Sequence, residues 1–439
     1  MQSHRGRTYL PLERTVYGMP TYRPIPDDDR EVFSEYVSYA FVPEQGREEY
    51  DPDHRHPRMT LGSPRGLYPD PGAGSTLDSS SERPLCVCRH YWFEVSVRGQ
   101  LHLAPGLSMV ASPPEHRRSG HVRTLLKRSL EEYRDREAHF SVLWPFRYRF
   151  YRQYGWETAS RHLTVECDPA DLAFARDRLR STDDHSRTSP GGTFRPVEAD
   201  DYRILEPVYD DHCERYDLSI ARDADWWRRH VLTRWGTDPY VYVWERDGEP
   251  AGYLVYTIEG DRGERTMTVS ELRYRDPEAS FALLSFCHNH GSQVASIRFR
   301  LPVDTPLFDA AADPDAFDVS LETGAMVRLV DVGRTLSALS YPTVDGARRM
   351  TFEVTDPLAE WNEGRFTLEV TDDSATCVRV DDAAVDVRLE VATLSQLAVG
   401  ATSVEALERA GRLETTDTGA LERLESLFPK RVVYLGEGF

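Results

Sequence analysis

Apolar and polar residues alternate through LCVCRHYWFEVSV and again through QLHLAPGLSMVAS, a period of two that predicts strands. The period then changes. Over residues 120–136, Val122, Leu125, Leu126, Leu130 and Tyr133 recur at three- and four-residue spacing, which predicts an amphipathic helix. HFSVLW returns to a strand pattern. Upstream, PIPDDDREVFSEYVSYAF opens on acids and continues with helical apolar spacing, so a helix is expected there. Residues 46–84 are rich in Pro, Gly, Asp and Ser and read as a loop or flexible insertion.

A polar linker, RSTDDHSRTSPGG, leads into a second region whose element order echoes the first. It holds a predicted helix, DADWWRRHVLTRW, the strands YVYVWER, AGYLVYTIE and MTVSELRY, and a helix in PEASFALLSFCHNH. A third region starts near Ala338 with the alternating strands MTFEV, GRFTLEV, CVRV and AVDVRLEV. Helical patterns follow in TLSQLAVG, SVEALERAGRL and ALERLESLF, and the chain ends FPKRVVYLGEGF, with no polar tail after it.

Composition narrows the function classes. With 439 residues, 40% of them hydrophobic, the chain can build more than one core. Asp and Glu number 73 against 53 Lys and Arg, a formal charge of -20. Acid spread along the whole length disfavours nucleic acid as a partner, because phosphate binding needs a concentrated basic face. The excess acid could attract cationic substrates. It could equally suit a salt-rich cytoplasm, as in salt-loving archaea, and the scarcity of lysine (Lys127 and Lys430 alone) favours that second reading. In such a medium the Debye length falls to about 3 Å or less, and long-range steering matters little. No run approaches the roughly eighteen apolar residues of a membrane span, and MQSHRGRTYLPLERT lacks the apolar stretch of a secretory signal. A cytoplasmic protein that does not engage membranes is expected. The six cysteines are too dispersed for a zinc pattern and are expected as free thiols. The His54/His56 and His288/His290 pairs have a spacing that binds metal from strands, but one lies in a loop-like stretch and the other near a helix end, so no metal is expected.

The strongest chemical signal is SMVASPPEHRRSGHVRTLL. A strand ends near Val110, Ala111 and Ser112, and a turn carrying Arg117, Arg118, Ser119 and Gly120 opens into the helix through His121, Val122 and Arg123. Unpaired N–H groups and the helix dipole make such a turn a site for a pyrophosphate. Glycine lets the backbone approach closely and the arginines add charged hydrogen bonds. The turn has neither the GKS/T of a P-loop nor a GxGxxG fingerprint. Read alone, it is as well explained as an ordinary strand–turn–helix with exposed arginines. After the next strand comes FYRQYGW, Phe150 to Trp156, in which Tyr151 either packs or moves a proton.

Together these segments resemble a known family. Arg117-Arg118-Ser119-Gly120-His121-Val122 is similar to the coenzyme-A motif of GNAT-type N-acetyltransferases, with Val122 where a small residue is usual. FYRQYGW resembles the aromatic tyrosine signature of the same superfamily. The middle stretches PYVYVWERDGEPAGYLVY and GAMVRLVDVGRTL, and the later DPLAEWNEGRFTLEV, resemble the Eis (enhanced intracellular survival) acetyltransferases over nearly the whole chain. The salt-adapted composition adds a haloarchaeal member to that expectation.

The resemblance implies an α+β chain with two tandem GNAT-like domains, 1–188 and 189–335, and a sterol-carrier-protein-like domain, 336–439. It implies acetyl-CoA as co-substrate, held by Val110, Ala111 and Ser112, by residues 117–123 and by Phe146 and Arg147. These last two stand where relatives often carry Ser-Glu. It implies Tyr151 as the acid that protonates the leaving thiolate and the Phe439 carboxylate as the base for a small-molecule or lysine-type amine. Phe41 becomes a wall of the acceptor pocket, with a core position as its alternative. A hexamer follows from the same resemblance. In the second region the corresponding turn reads RDPEASF, where Asp276 and Glu278 would repel a pyrophosphate, so one coenzyme site per chain is expected. The rival reading is a protein that binds lipid in its third domain while its GNAT-like domains are inactive.

Overall fold

The computed structural model describes residues 20–46, 50–51, 56–70, 83–182, 191–343, 346–372, 374–416 and 418–439. The MQSHRGRTYLPLERT stretch, His54 and most of the linker at 183–190 lie outside the described residues. The chain divides into two compact units, one of Met1–Tyr50, Pro64–Arg89 and Met109–Arg128, the other of Asp51–Ser63, His90–Ser108 and Ser129–Phe439.

The strands Thr21–Pro24, Ser63–Tyr68, Cys86–Tyr91 and Gly106–Ala111 are hydrogen-bonded in that order; their residues 21–24, 64–68, 86–89 and 109–111 belong to the first unit and the remainder to the second. The helix Arg30–Phe41 buries Phe33 and Tyr36, and the Tyr36 hydroxyl donates to the Pro84 carbonyl at 2.9 Å. Ser63–Tyr68 corrects the expectation of a loop across 46–84. Its sequence, SPRGLY, reads as turn punctuation. Pro64, however, stands at the strand's start, where a missing N–H costs little. Gly66 leaves room for the Tyr68 ring, which a Cβ there would meet at 2.7 Å.

The two long alternating runs each break in the middle. LCVCRHYWFEVSV becomes Cys86–Tyr91 and Glu94–Val97, and the latter pairs with Gln100–Leu103 in a hairpin. Arg98 and Gly99, both at positive φ, make its turn. QLHLAPGLSMVAS breaks at Ala104 and Pro105 before Gly106–Ala111 begins.

The second unit contains the rest. Gly106 pairs in parallel with Val142 of Phe140–Leu143, and that strand runs antiparallel to Met326–Leu329, which also pairs with Glu157–Thr158. A seven-stranded sheet follows the order Gly192–Pro196, Tyr240–Arg246, Glu249–Glu259, Thr266–Tyr274, Ser296–Pro302, Arg161–Cys167, Asp318–Thr323. The two GNAT-like regions thus exchange strands. Arg161–Cys167 inserts among the second region's strands, and Met326–Leu329 joins those of the first. DADWWRRHVLTRW is not one α-helix: Ala224–Trp226 is a single turn capped by Asp223, and Trp227–Val231 is a π-helical turn. The wider turn leaves Trp226 and His230 stacked at 3.9 Å, with Trp226 and Trp227 both buried.

The third region forms a five-stranded sheet in the order Ala375–Val380, Gly364–Val370, Arg348–Thr355, Val387–Glu390, Leu413–Thr415. AVDVRLEV supplies a strand only at Val387–Glu390, and Val391 already starts a helix. Every residue of that helix, Val391–Ala398, is buried, its polar Ser395 and Gln396 hydrogen-bonded to Val391, Leu329 and Thr158. It shares one apolar core with Phe140, Val142 and Val327. Arg98 fastens this domain: its guanidinium donates to the carbonyls of Ala398 (2.9 Å), Leu397 (3.1 Å) and Leu427 (2.9 Å), at the ends of two helices where carbonyls lack partners.

One buried pair in the second unit makes the fold acid-sensitive. His102 Nδ1 lies 3.3 Å from His139 Nδ1, and His102 Nε2 has no hydrogen-bond partner among the described residues. Burial first, then the neighbouring His139, lowers the His102 pKa from 6.5 to about 4. The unfolded chain therefore takes up this proton before the folded one does. The stability from neutral His102 is fully present above pH ~6.5 and is lost as pH falls toward 4, by about 3 kcal/mol. Denaturation midpoints measured from neutral pH down to pH ~4.5 should fall more steeply for the wild type than for His102→Gln. Parallel curves would contradict this.

Candidate active site

The sequence places its chemistry at two turns, one in each unit. In the first unit, Gly106–Ala111 enters at Met109, whose φ of 52° interrupts the extended strand. Ala111 is buried, and the Ser112 hydroxyl donates to the Leu85 carbonyl at 3.1 Å. Arg117 Nε donates to the Ser112 carbonyl at 3.0 Å, and the Arg117 guanidinium lies over the Tyr39 ring at 5.4 Å. Arg118 and Gly120 both take positive φ, 61° and 82°. Such a turn aims consecutive N–H groups to one side and makes an anion nest. A Cβ on Gly120 would meet nothing within 4 Å, so the space before the turn is open. His121 begins the helix His121–Asp135, and its pKa is lowered by burial and then by His116. Val122 is half-buried and Arg123 exposed. Phe41 is 51% exposed at the end of its helix, which overturns the core alternative.

The corresponding turn of the second region is occupied by its own side chains. Asp276 caps the helix Pro277–His288 by accepting from the Ala279 N–H at 2.9 Å. Arg246 pairs with Asp276 and, at 2.7 Å, with Glu278. Burial works to raise the Asp276 pKa, yet the hydrogen bond from Arg246 and the N–H of Ala279 hold it below the ordinary carboxylate range. A carboxylate already fills the position where a phosphate would sit.

In the second unit, FYRQYGW winds into the short helix Tyr148–Arg152. Tyr151 is buried at 4% exposure, with Phe150 (5.1 Å), Phe146 (5.6 Å) and Trp156 (6.3 Å) around its ring. Phe146 and Arg147 are exposed just before it. Beneath the turn, Arg328 donates to the Tyr154 carbonyl and makes a forked pair with Asp356 at 2.7 and 2.6 Å. Gly155, at φ 92°, passes directly over that guanidinium, and a Cβ there would overlap it.

Phe439 occupies another aromatic cluster of the second unit, edge-on to Phe93 (4.9 Å) and Tyr91 (5.7 Å), with Trp226 against Phe93 (4.8 Å). Glu437 anchors this segment. Its carboxylate accepts from the Tyr209 hydroxyl (2.7 Å), from Arg222 Nε (3.0 Å) and from the Trp226 indole, while its carbonyl accepts from the Trp144 indole at 2.6 Å. Arg222, fully buried, also pairs with Glu271, which accepts from the Tyr253 hydroxyl at 2.8 Å. The sequence reading missed Glu437, Arg222 and Glu271. The one available signal was a single acid inside the otherwise apolar and small VVYLGEGF.

The remaining polar candidates are structural. His288 Nδ1 lies 2.8 Å from the Pro169 carbonyl, and His290 Nδ1 3.0 Å from that of Phe286. Among the described residues no group of three His, Cys, Asp or Glu is placed to hold a metal ion. The six cysteines are free thiols.

Two acetyltransferase (GNAT) domain families match residues 21–159 and 218–329, and the sterol carrier protein domain family matches 332–436. An uncharacterised N-acetyltransferase of Streptomyces avermitilis is 31% identical over 79% of this chain and 85% of its own. The N-acetyltransferase Eis of Mycobacterium tuberculosis is 27% identical over 84% of this chain and 89% of its own. A conserved protein of Enterococcus faecalis shares the fold, with a TM-score of 0.80 at 22% identity over 96% of this chain and 99% of that one.

Proposed function

Because this chain belongs to the Eis-like family of GNAT N-acetyltransferases, we propose that it moves an acetyl group from acetyl-CoA to a primary amine, with Tyr151 as general acid and the Phe439 terminal carboxylate as general base. The observation that carries the coenzyme assignment is the contrast between the two turns. The first has positive φ at Arg118 and Gly120 and open space before it; the second is closed by Asp276. Residues 117–123 hold the pyrophosphate through backbone N–H groups and arginine charge. Val110, Ala111 and Ser112 hydrogen-bond the pantetheine and acetyl end, and Phe146 and Arg147 add coenzyme contacts. The catalytic domain spans 1–188, the degenerate GNAT-like domain 189–335 and the sterol-carrier-like domain 336–439.

The chemistry divides between two groups. A lysine-type amine has a reference pKa near 10.4 and is mostly ammonium at neutral pH. The Phe439 carboxylate takes that proton, directly or through a water, and the freed nitrogen attacks the thioester carbon. The C–N bond forms as the C–S bond breaks, and Tyr151 gives its phenolic proton to the departing sulfur. Backbone N–H groups near Ala111 polarise the carbonyl. The aromatic setting of Phe439 and the buried Glu437 anchor support a fixed position for the base. The acceptor is a small-molecule or lysine-type amine, with Phe41 walling its pocket. The core-filling helix Val391–Ala398 supports a scaffolding role for the third domain over lipid carriage.

Replacing Arg117 and Arg118 together by Ala should raise the KM for acetyl-CoA roughly tenfold or more, while Asp276→Ala leaves it unchanged. Calorimetry should give one acetyl-CoA per chain. Two sites per chain, or no effect of the double replacement, would overturn the assignment. The acid-rich, lysine-poor composition further supports a haloarchaeal member, and the family resemblance supports a hexamer that needs concentrated salt to hold together. Sedimentation at low and molar KCl tests this: a hexamer that dissociates as salt is withdrawn is expected, and a monomer in molar KCl contradicts it.

A further inference from the structure

The chain end, residues 433–439, is gripped at alternate positions within the second unit. Val433 bridges Asp217, and the Leu435 N–H donates to Ser160 Oγ at 3.1 Å. The Glu437 carbonyl accepts from the Trp144 indole at 2.6 Å, and the Phe439 ring lies edge-on to Phe93 and Tyr91. Gly436 and Gly438 separate the last three of these positions. A Cβ on Gly438 would meet nothing within 4 Å, so packing there does not hold the final link. Gly436, Glu437 and Gly438 also border a cavity of about 360 Å³, which leaves that side of the segment open. The position of the terminal carboxylate therefore depends on Glu437 and on the Phe439 ring.

A ring among rings is held by non-directional contact, which leaves it free to slide. Hydrogen bonds to a buried carboxylate are directional. Glu437 is buried and receives three, from the Tyr209 hydroxyl (2.7 Å), from Arg222 Nε (3.0 Å) and from the Trp226 indole. Arg222 is held in turn. Its guanidinium lies over the Tyr209 and Trp227 rings at 3.7 and 4.3 Å and pairs with Glu271, which accepts from the Tyr253 hydroxyl at 2.8 Å. Burial disfavours the Arg222 charge, yet Glu271 and then Glu437 hold its pKa above the ordinary guanidinium range. Taking a carboxylate out of water is costly, and an apolar side chain at 437 would fill the same space without that cost. What the carboxylate adds is a single position dictated from three directions. Tyr209, Arg222, Trp226, Tyr253 and Glu271 all come from the middle region, whose own phosphate turn is closed by Asp276.

Resting on the acetyl-transfer reading above, we propose that Glu437 is a positioning residue for the Phe439 carboxylate, and that Tyr209, Arg222 and Trp226 form its seat. The middle region, without an open phosphate turn, then takes part in the reaction by holding the base. Glu437 acts through Phe439 and needs no contact with the amine. Misplacing a reacting group by about 1 Å costs roughly a hundredfold in rate.

The test is a cycle between Glu437→Gln and the chain extended after Phe439, read as thiol release from acetyl-CoA with butylamine, a lysine-type acceptor. Glutamine keeps the side chain's shape and leaves Arg222 its pair with Glu271. Glu437→Gln should lower kcat roughly tenfold or more and change the KM for acetyl-CoA little. In the extended protein, where the terminal carboxylate is already an amide, it should lower kcat no further. A merely structural residue would cost the same factor in both backgrounds. Carboxypeptidase A, which removes a terminal phenylalanine, reads the seat without turnover: Phe439 should leave Glu437→Gln about tenfold faster than it leaves the wild type. Tyr209→Phe removes one donor, keeps the ring, and should move both readouts in the same sense by a smaller factor. It decides the cycle if Glu437→Gln does not fold. Full kcat in both variants, equal losses in both backgrounds, or equal release of Phe439 from variants and wild type overturns the proposal and leaves acetyl transfer intact. If the extension alone costs nothing, the terminal carboxylate is not the base, and the proposal falls with that reading. If the wild type leaves butylamine unacetylated, Phe439 release decides: faster loss from both variants sustains the seat, and equal loss overturns it.

Discussion

Tyr151→Phe should lower kcat at least ~100-fold while changing the KM for acetyl-CoA little, the size expected when a positioned general acid is removed. Phenylalanine keeps the ring, so its contacts with Phe146, Phe150 and Trp156 persist. What goes is the hydroxyl proposed to give its proton to the departing thiolate. The other half of the proton balance is tested by extending the chain with a short segment after Phe439. This turns the carboxylate into an amide and should cost a comparable factor in kcat. A steady-state thiol-release assay reads both. If Tyr151→Phe retains full kcat, Tyr151 is only a packed aromatic. If the extended protein does, the base lies elsewhere.

Arg328→Met should destabilise the protein by about 3–5 kcal/mol, the cost of stranding a buried charge. Arg328 and Asp356 are both wholly buried and joined by two hydrogen bonds. Asp356 also accepts from the N–H groups of Leu358 and Ala359, each at 2.9 Å, and from Asn362 at 3.1 Å. Removing the guanidinium leaves that carboxylate without its cation and the Tyr154 carbonyl without its donor. Adding Asp356→Leu removes the orphaned charge, so the double variant should lose less than Arg328→Met alone. Denaturation followed by tryptophan fluorescence should show that order. A single variant as stable as the wild type would remove the pair from the account. Gly155→Ala belongs to the same set, since its methyl would overlap the Arg328 guanidinium at a φ that alanine rarely adopts.

These two effects meet in FYRQYGW. The sequence supplied the motif, the helix after the phosphate turn and the alternating strands, because each is written in a local period. It did not supply what lies beneath. Arg328 and Asp356 are far from residue 155 in sequence and carry no spacing that could mark them as partners. The same holds for Arg222, Glu271 and Glu437, a buried ion network drawn from three distant segments. The exchange of Arg161–Cys167 and Met326–Leu329 was hidden for a related reason. A strand's period tells which face is buried, not which strand lies beside it. Ser63–Tyr68 was lost because proline and glycine read as turn residues unless the pairing is known. The second, closed turn was legible, since Asp276 and Glu278 announce a carboxylate where a phosphate would bind.

Amine acetylation itself can be measured directly. The direct measurement is wild-type thiol release from acetyl-CoA with and without an amine, alongside the acetylated amine counted by mass spectrometry. Amine-dependent release with one acetylated amine formed per thiol is the predicted result. Thiol release indifferent to every amine, or no release at all, would contradict it.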